Sequence, residues 1–324
     1  MIIHGYELEK ELKTDNSGFS KWGFARKNGK EYFIKEFISP VYPIFEDVLE
    51  PEMIQRKKEI CSRYVSKSKT LYRMINECSD GNLVRVEHFF RCGSKYYITM
   101  EKISGIMPGE ISMLSMEERI RLCKILTHSI AGLHQYKIVH ADLKLDNIIF
   151  CRMPYGSVTA KVIDFDGCFW ETAPPDPTEE VHGDLVYMAP ETFQMMAEEE
   201  GVLTSAIDVF ALALIFHQIL TEKLPEFNHE MYDYPFEAVL DGNQLMMDPL
   251  LDSDLRSMLL MMTERNPERR LTSGQVWEFW CRYTGVGTVM EAPDFSEGFT
   301  EEKIYSEKPA EKINGSYFSA AGDL

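Results

Sequence analysis

The sequence has no CxxC pair, no long tract of lysine and arginine, no apolar run long enough to cross a bilayer and no internal repeat. Each absence removes a class of function. Seven cysteines, odd in number and scattered, make neither a secreted disulfide framework nor a zinc site, so they read as thiols in a reducing, cytoplasmic setting. The longest apolar candidate, Val209 to Leu220, is interrupted by His217 and falls short of the roughly 20 residues that a membrane span needs. The start, MIIHGYELEKELK, shows no apolar run behind a basic head, so no signal peptide is expected. Positive charge is scarce as well, with 34 Lys+Arg against 52 Asp+Glu, net −18. Residues 1–103 carry net +3 and residues 104–324 net −21. Such an acidic body is a poor partner for nucleic acid or anionic lipid, both of which reward phosphate neutralisation by clustered bases. Basic protein or peptide ligands suit it better, and oligomeric state is not legible.

What is present is core material. Hydrophobic residues make up 44% of the 324 positions and aromatics 12%, which excludes wholesale disorder. At roughly 150 residues per domain the length suggests two lobes. From Tyr6 to Phe37, alternating segments broken by KTDNSG and KNGK read as antiparallel strands, with WGFAR and EYFIKEF pairing across Asn28-Gly29. From Pro51 to Cys78 the period becomes helical, with Ile54, Ile60, Tyr64, Leu71 and Ile75 on one face. LVRVEHFF and KYYITMEKI follow as strands. After Gly105, long helices are expected over Ser115 to Tyr136, where Ser115 and Glu118 form a capping box, and over Ser205 to Leu220, Asp252 to Glu264 and Ser273 to Tyr283. The stretch 284–324 has no apolar period and carries 8 acids against 3 lysines, so it reads as a mobile or loosely docked tail. Its Ser296, Thr300, Tyr305, Ser306, Ser316 and Ser319 are candidate modification sites.

The chemistry sits between the first two long helices. His140-Ala141-Asp142-Leu143-Lys144-Leu145-Asp146-Asn147 precedes the apolar strand Ile148 to Phe150, and Asp164 stands at the end of another, in Val162-Ile163-Asp164-Phe165-Asp166-Gly167. These residue types can assemble a phosphoryl-transfer site. Asp142 could accept the proton of an attacking hydroxyl and Lys144 neutralise the transferred phosphate, while Asn147 and Asp164 offer the hard oxygens that Mg²⁺ prefers. Taken singly, Asp142 would be an ordinary turn residue and Asn147 an Asx motif.

In order along the chain, these elements resemble the eukaryotic-like (Hanks-type) Ser/Thr protein kinase family, from about Lys13 to Tyr283. HADLKLDN is similar to the catalytic-loop signature H-R-D-L-K-x-x-N, with Ala141 in place of Arg, and DFD to the metal-binding D-F-G, with Asp166 in place of Gly. Ala189-Pro190-Glu191 matches A-P-E, with Gly183 and Tyr187 placed as in the family. Asp208 resembles the buried Asp that anchors the large lobe, and Asn266-Pro267-Glu268-Arg269-Arg270 the element whose Arg pairs with the A-P-E glutamate, here Glu191 with Arg270. The resemblance implies an α+β, bilobal fold. A small five-stranded antiparallel lobe with one main helix (1–103) precedes a larger, mainly helical catalytic and substrate lobe (104–283) and the tail (284–324).

It also implies ATP and Mg²⁺ as cofactors. Lys35, in YFIK, matches the strand lysine on the α- and β-phosphates. Ser17-Gly18-Phe19-Ser20-Lys21-Trp22-Gly23 matches a degenerate phosphate-covering loop, with Gly18, Phe19, Ser20 and Gly23 as contacts; alone, its two glycines would be an ordinary hairpin. Met100 resembles the residue closing the back of the adenine pocket, and also reads simply as core; the backbones of Glu101 and Ile103 would bond adenine. For the helix glutamate that pairs with Lys35, Glu52 and Glu59 are candidates and Glu59 is preferred. The register counted back from Asn82 would instead place the partner at 65–71, where no acid exists.

Lys35, Asp142, Asn147 and Asp164 are all present, which favours activity, and Lys144 in DLK implies Ser/Thr acceptors. Ala141 removes an arginine that receives an activation-loop phosphate in many members, so phosphorylation at Thr172 or Thr178 is not the expected switch. Asp166 should stiffen its turn, since a β-carbon restricts angles that Gly permits. The bases of the first helix, Arg56, Lys57, Lys58, Arg63, Lys67, Lys69 and Arg73, read as a solvated face or as a dock for an acidic partner. Two other functions stay open: a small-molecule kinase of the aminoglycoside or choline phosphotransferase kind, and a non-catalytic scaffold.

Overall fold

Two short strands open the chain, β1 (Ile2–Ile3) and β2 (Tyr6–Leu8), in the computed structural model, which describes residues 1–14, 20–44, 50–175, 183–197 and 201–287. Asn28 and Gly29 take φ of 52° and 77°, the left-handed turn that matches strand twist, and join β3 (Ser20–Lys27) to β4 (Lys30–Phe37) with Trp22 opposite Lys35. Helix α1 (Pro51–Cys78) follows, then β5 (Val86–Cys92) and β6 (Lys95–Glu101). The sheet is antiparallel throughout in the order β1-β2-β3-β4-β6-β5. Among the described residues it has six strands rather than the expected five. The extra one exists because His4 and Gly5, at φ 49° and 82°, fold Ile3 back onto Tyr6.

Helix α1 buries Ile54, Cys61, Ser68, Leu71, Tyr72, Met74 and Ile75. Ile60, expected on that face, is 49% exposed. One position is about 100° of helix, and the heptad-spaced series 54, 61, 68, 75 puts Cys61 inward instead. Arg56, Lys57, Arg63, Lys67, Lys69 and Arg73 are exposed, in keeping with a solvated face. Beyond the helix, the Val84 N–H donates to the Val162 carbonyl (3.0 Å) and the Val162 N–H to the Asn82 carbonyl (2.8 Å). This detour delays β5 to Val86 and ties the sheet-bearing half to the helical half.

The second half runs α2 (Pro108–Ile111), α3 (Met116–Gln135), β7 (Ile138–Val139), β8 (Ile148–Arg152), β9 (Val158–Val162) and β10 (Phe169–Trp170). It continues with α4 (Pro190–Met196), α5 (Ala206–Thr221), α6 (Pro235–Leu240), α7 (Ser253–Met262) and α8 (Ser273–Thr284). The α3 capping box is formed: the Glu118 N–H donates to Ser115 Oγ (3.3 Å) and the Ser115 N–H to Glu118 Oε2 (2.8 Å). Strands β7 and β10 pair, as do β8 and β9, so the loops at 140–147 and 163–168 leave neighbouring strand ends. Helix α5, apolar but for Asp208, His217, Gln218 and Thr221, is buried on nearly every side, as so apolar a helix must be. Among the described residues no helix is long and apolar enough to cross a membrane.

One apolar core runs from Phe37 and Leu71 through Ile130 and Phe165 to Trp280. Helix α8 reaches Thr284, one residue into the segment read as tail, and Lys124 holds this end through Thr284 Oγ1 (2.8 Å) and the Val286 carbonyl. The candidate modification sites at 296–319 lie outside the described residues, as does Thr178.

Candidate active site

The loop after β7 is fixed from below. Asp208, in the first turn of α5 and 1% exposed, accepts hydrogen bonds from the backbone N–H groups of His140 (2.7 Å) and Ala141 (2.9 Å) and from His134 Nε2 (2.9 Å). His134 Nδ1 lies 2.7 Å from Ser273 Oγ, which suits a ring whose Nε2 carries the proton. Ala141 sits at φ +66°, where a side chain is strained, and the two backbone bonds to Asp208 hold it there. That bend presents Asp142.

Asp142 and Asn147 brace one another across a 3-10 turn at Leu145–Asn147. Asn147 Nδ2 donates to the Asp142 carbonyl (2.7 Å) and to Asp142 Oδ2 (3.0 Å). With both amide protons used, its Oδ1 remains as an acceptor without a partner among the described residues. Lys144 Nζ stands 3.2 Å from Asp142 Oδ2. The Asn147 carbonyl takes the Ile163 N–H (2.9 Å), and His140 Nε2 lies 3.3 Å from the Ile163 carbonyl, so the loop carrying Asp164 is bolted to the one carrying Asp142.

Asp164, at φ +62°, meets Lys35 of β4 across the cleft. Lys35 Nζ donates to Asp164 Oδ1 (2.8 Å) and Oδ2 (2.9 Å) and lies 2.6 Å from Asp166 Oδ2. Burial alone would lower the lysine pKa, but Asp166 and Asp164 together push it up to about 12, so it is a cation. Burial works against charge on Asp164, yet the ammonium and its hydrogen bonds hold that carboxyl below its ordinary value. Asp166 goes the other way. Its side chain keeps 31% of its surface accessible, but loss of hydration in the cleft outweighs the pull of Lys35, and with the like charge of Asp164 lifts it to about 6.

Thus Lys35, Asp142, Lys144, Asn147 and Asp164 converge on one cleft. Met100, 5% exposed in β6, packs between Phe33 and Val86 behind it. Glu101 pairs with Tyr32 at the strand end, and Ile103 follows outside any strand or helix, with no backbone hydrogen bond among the described residues. Ser20 is a buried strand residue opposite Phe37. Gly23 lies opposite Ile34, where a β-carbon would come 2.9 Å from the Leu12 side chain, so its glycine also serves packing. Gly18 and Phe19 lie outside the described residues.

The expected Glu59–Lys35 pair is not formed. Glu59 is exposed and accepts a hydrogen bond from Gln55 Nε2 (2.8 Å) on its own helix, because its position turns away from the buried stripe. Lys35 takes Asp166 instead, a partner that the pattern DFD contained but that was read only as a stiffer turn. Away from the cleft, Arg270 and Glu191 pair as foreseen, at 2.6 and 3.0 Å.

Residues 53–280 match the Protein kinase domain family. The chain belongs to that family. Its Ser/Thr relatives include the human serine/threonine-protein kinase DCLK2, 23% identical over 85% of this chain and 33% of its own length. Another is cds1 of Schizosaccharomyces pombe, 23% identical over 93% of this chain and 64% of its own. Human ULK3 is 23% identical over 76% of this chain and 45% of its own. The chain thus spans from a third to just under two thirds of these relatives. Among solved structures, the Cydia pomonella Granulovirus kinase PK-1 shares this kinase fold, with a TM-score of 0.60 and 16% identity over 86% of this chain and 93% of that one.

Proposed function

We propose that this kinase transfers the γ-phosphoryl group of ATP to serine or threonine hydroxyls of protein substrates, with Mg²⁺. The observation that carries the reading is the convergence of Lys35 and Asp164, 129 residues apart, over a loop in which Asn147 braces Asp142. The donor set fits the cation. Mg²⁺ is commonly held by one or two carboxylates plus substrate phosphates, and the Asp164 carboxylate and the partnerless Asn147 Oδ1 are hard oxygens of that kind. Bound there, it would neutralise phosphate charge. Lys35 orients the α- and β-phosphates, Glu101 and Ile103 hold adenine through backbone groups, and Met100 closes the pocket behind it. Asp142 accepts the hydroxyl proton and Lys144, 3.2 Å from it, neutralises the phosphoryl group in flight.

Protein rather than small-molecule acceptors are favoured by the Glu191–Arg270 pair, which fixes the start of α4 in the substrate half. The excess of 18 acids favours basic peptides, drawn by the field of residues 104–283. Seven free cysteines favour a cytoplasmic setting. Phosphorylation of Ser and Thr peptides flanked by Arg, measured at rising salt against the same peptides flanked by Glu, tests the reading. Faster, salt-sensitive transfer to the Arg peptides is expected. No transfer to either set would overturn it.

A further inference from the structure

A lysine that is 5% exposed needs a counter-charge in every state of the site, because an ammonium stripped of water is expensive unless paired. Asp164 supplies one here, but on the reading above that carboxylate turns to Mg²⁺ when nucleotide is bound. A glutamate from the helix is the ordinary second partner in the resembled family, and among the described residues no glutamate pairs with Lys35. Helix α1 carries no acid between Glu59 and Glu77. Its Tyr64 and Tyr72 flank the buried Ser68, and Tyr64 packs on Phe37, Phe89 and Tyr96 of the sheet, so this face offers no acid. What stands beside the lysine is Asp166, 2.6 Å from Nζ. Asp164 takes the left-handed backbone of this turn while Asp166 does not, so a β-carbon at 166 carries no such strain.

We propose that Asp166 is the positioning residue for Lys35, standing in for the absent helix glutamate and keeping the ammonium aimed at the phosphates once Asp164 is engaged elsewhere. The proposal rests on Lys35 being a phosphate contact. It has a regulatory consequence. In this chain the lysine is held by the loop at 164–167, itself bolted to the catalytic loop through Ile163, and not by α1, so displacement of the helix does not by itself unseat Lys35.

The test is a double-mutant cycle on the full chain, reading the dissociation constant of a fluorescent ATP analogue with and without Mg²⁺, together with KM for ATP and kcat. Asp166→Asn keeps shape and removes charge; Asp166→Gly restores the residue that the family carries. Lys35→Met removes the partner. Either Asp166 change should weaken nucleotide binding about tenfold with Mg²⁺ present, when Asp164 is engaged, and by less without it, when Asp164 still pairs with Lys35; tenfold is the scale of one charge-assisted hydrogen bond. In the Lys35→Met background neither should weaken it further, and Asp166→Glu should recover part of the loss. Three outcomes overturn the proposal. One is full additivity with Lys35→Met; another is a raised Mg²⁺ requirement in Asp166→Asn that persists in the Lys35→Met background, which would make Asp166 a metal ligand. The third is wild-type affinity in Lys35→Met itself, which removes the phosphate reading of Lys35 and the proposal with it.

Discussion

Arg270 and Glu191, 79 residues apart and almost without exposure, face each other in a two-pronged ion pair, Nη1 to Oε1 at 2.6 Å and Nη2 to Oε2 at 3.0 Å. The remaining guanidinium donors reach the carbonyls of Glu264 and Ala206, so all of them are used. Removing one partner strands a charge in the core. Glu191→Gln should cost about 3–5 kcal/mol. Arg270→Ala should cost the same, and urea unfolding of the double variant should show less than the sum of the two losses.

Asp208 supports the loop at 140–147 from below, through the backbone of His140 and Ala141. Asn at this position keeps the size but offers one acceptor oxygen where the native carboxylate serves two backbone N–H groups and His134. Each N–H left without its acceptor costs about 1–3 kcal/mol. In Asp208→Asn, hydrogen exchange at the His140 and Ala141 amides should therefore speed up tenfold or more while kcat falls and affinity for nucleotide changes little. Unchanged exchange at both amides would contradict this role.

His217 gives a pH dependence of defined sign. Its Nδ1 lies 2.6 Å from the Lys223 carbonyl and its Nε2 accepts the Asp248 N–H at 3.0 Å, an arrangement that fits only the neutral ring with the proton on Nδ1. Burial lowers its pKa below the ordinary 6.5, against the smaller opposing effects of the Lys223 carbonyl and Asp248. Below pH 6.5 the unfolded chain takes up a proton that the native state refuses, so stability falls as pH drops from 6.5 through the lowered native pKa. Denaturation midpoints at pH 7.5 and 5 should differ more for wild type than for His217→Gln.

Much of this was legible because local rules and tertiary demand agreed. The Asn28-Gly29 hairpin, the Ser115 capping box, the bounds of α1 and the residues on the two loops each followed from spacing that the fold then used. The misses share a cause. Which acid meets Lys35 depends on how α1 rotates against the sheet, and a difference of one residue turned Ile60 and Glu59 outward in favour of Cys61. Asp166 reaches Lys35 across 131 residues, a contact that local patterns do not encode. The sixth strand was missed because two residues carry too little alternation to register.

The central claim is that Asp142 is the proton acceptor of a working phosphoryl-transfer site, and one measurement addresses it most directly. Transfer of labelled γ-phosphate from ATP with Mg²⁺ to a Ser peptide is compared for wild type and Asp142→Asn, with nucleotide affinity measured on the same samples. The account predicts a rate lower by about 10²–10⁴ in the variant with affinity nearly unchanged. Equal labelling by the two proteins would contradict it.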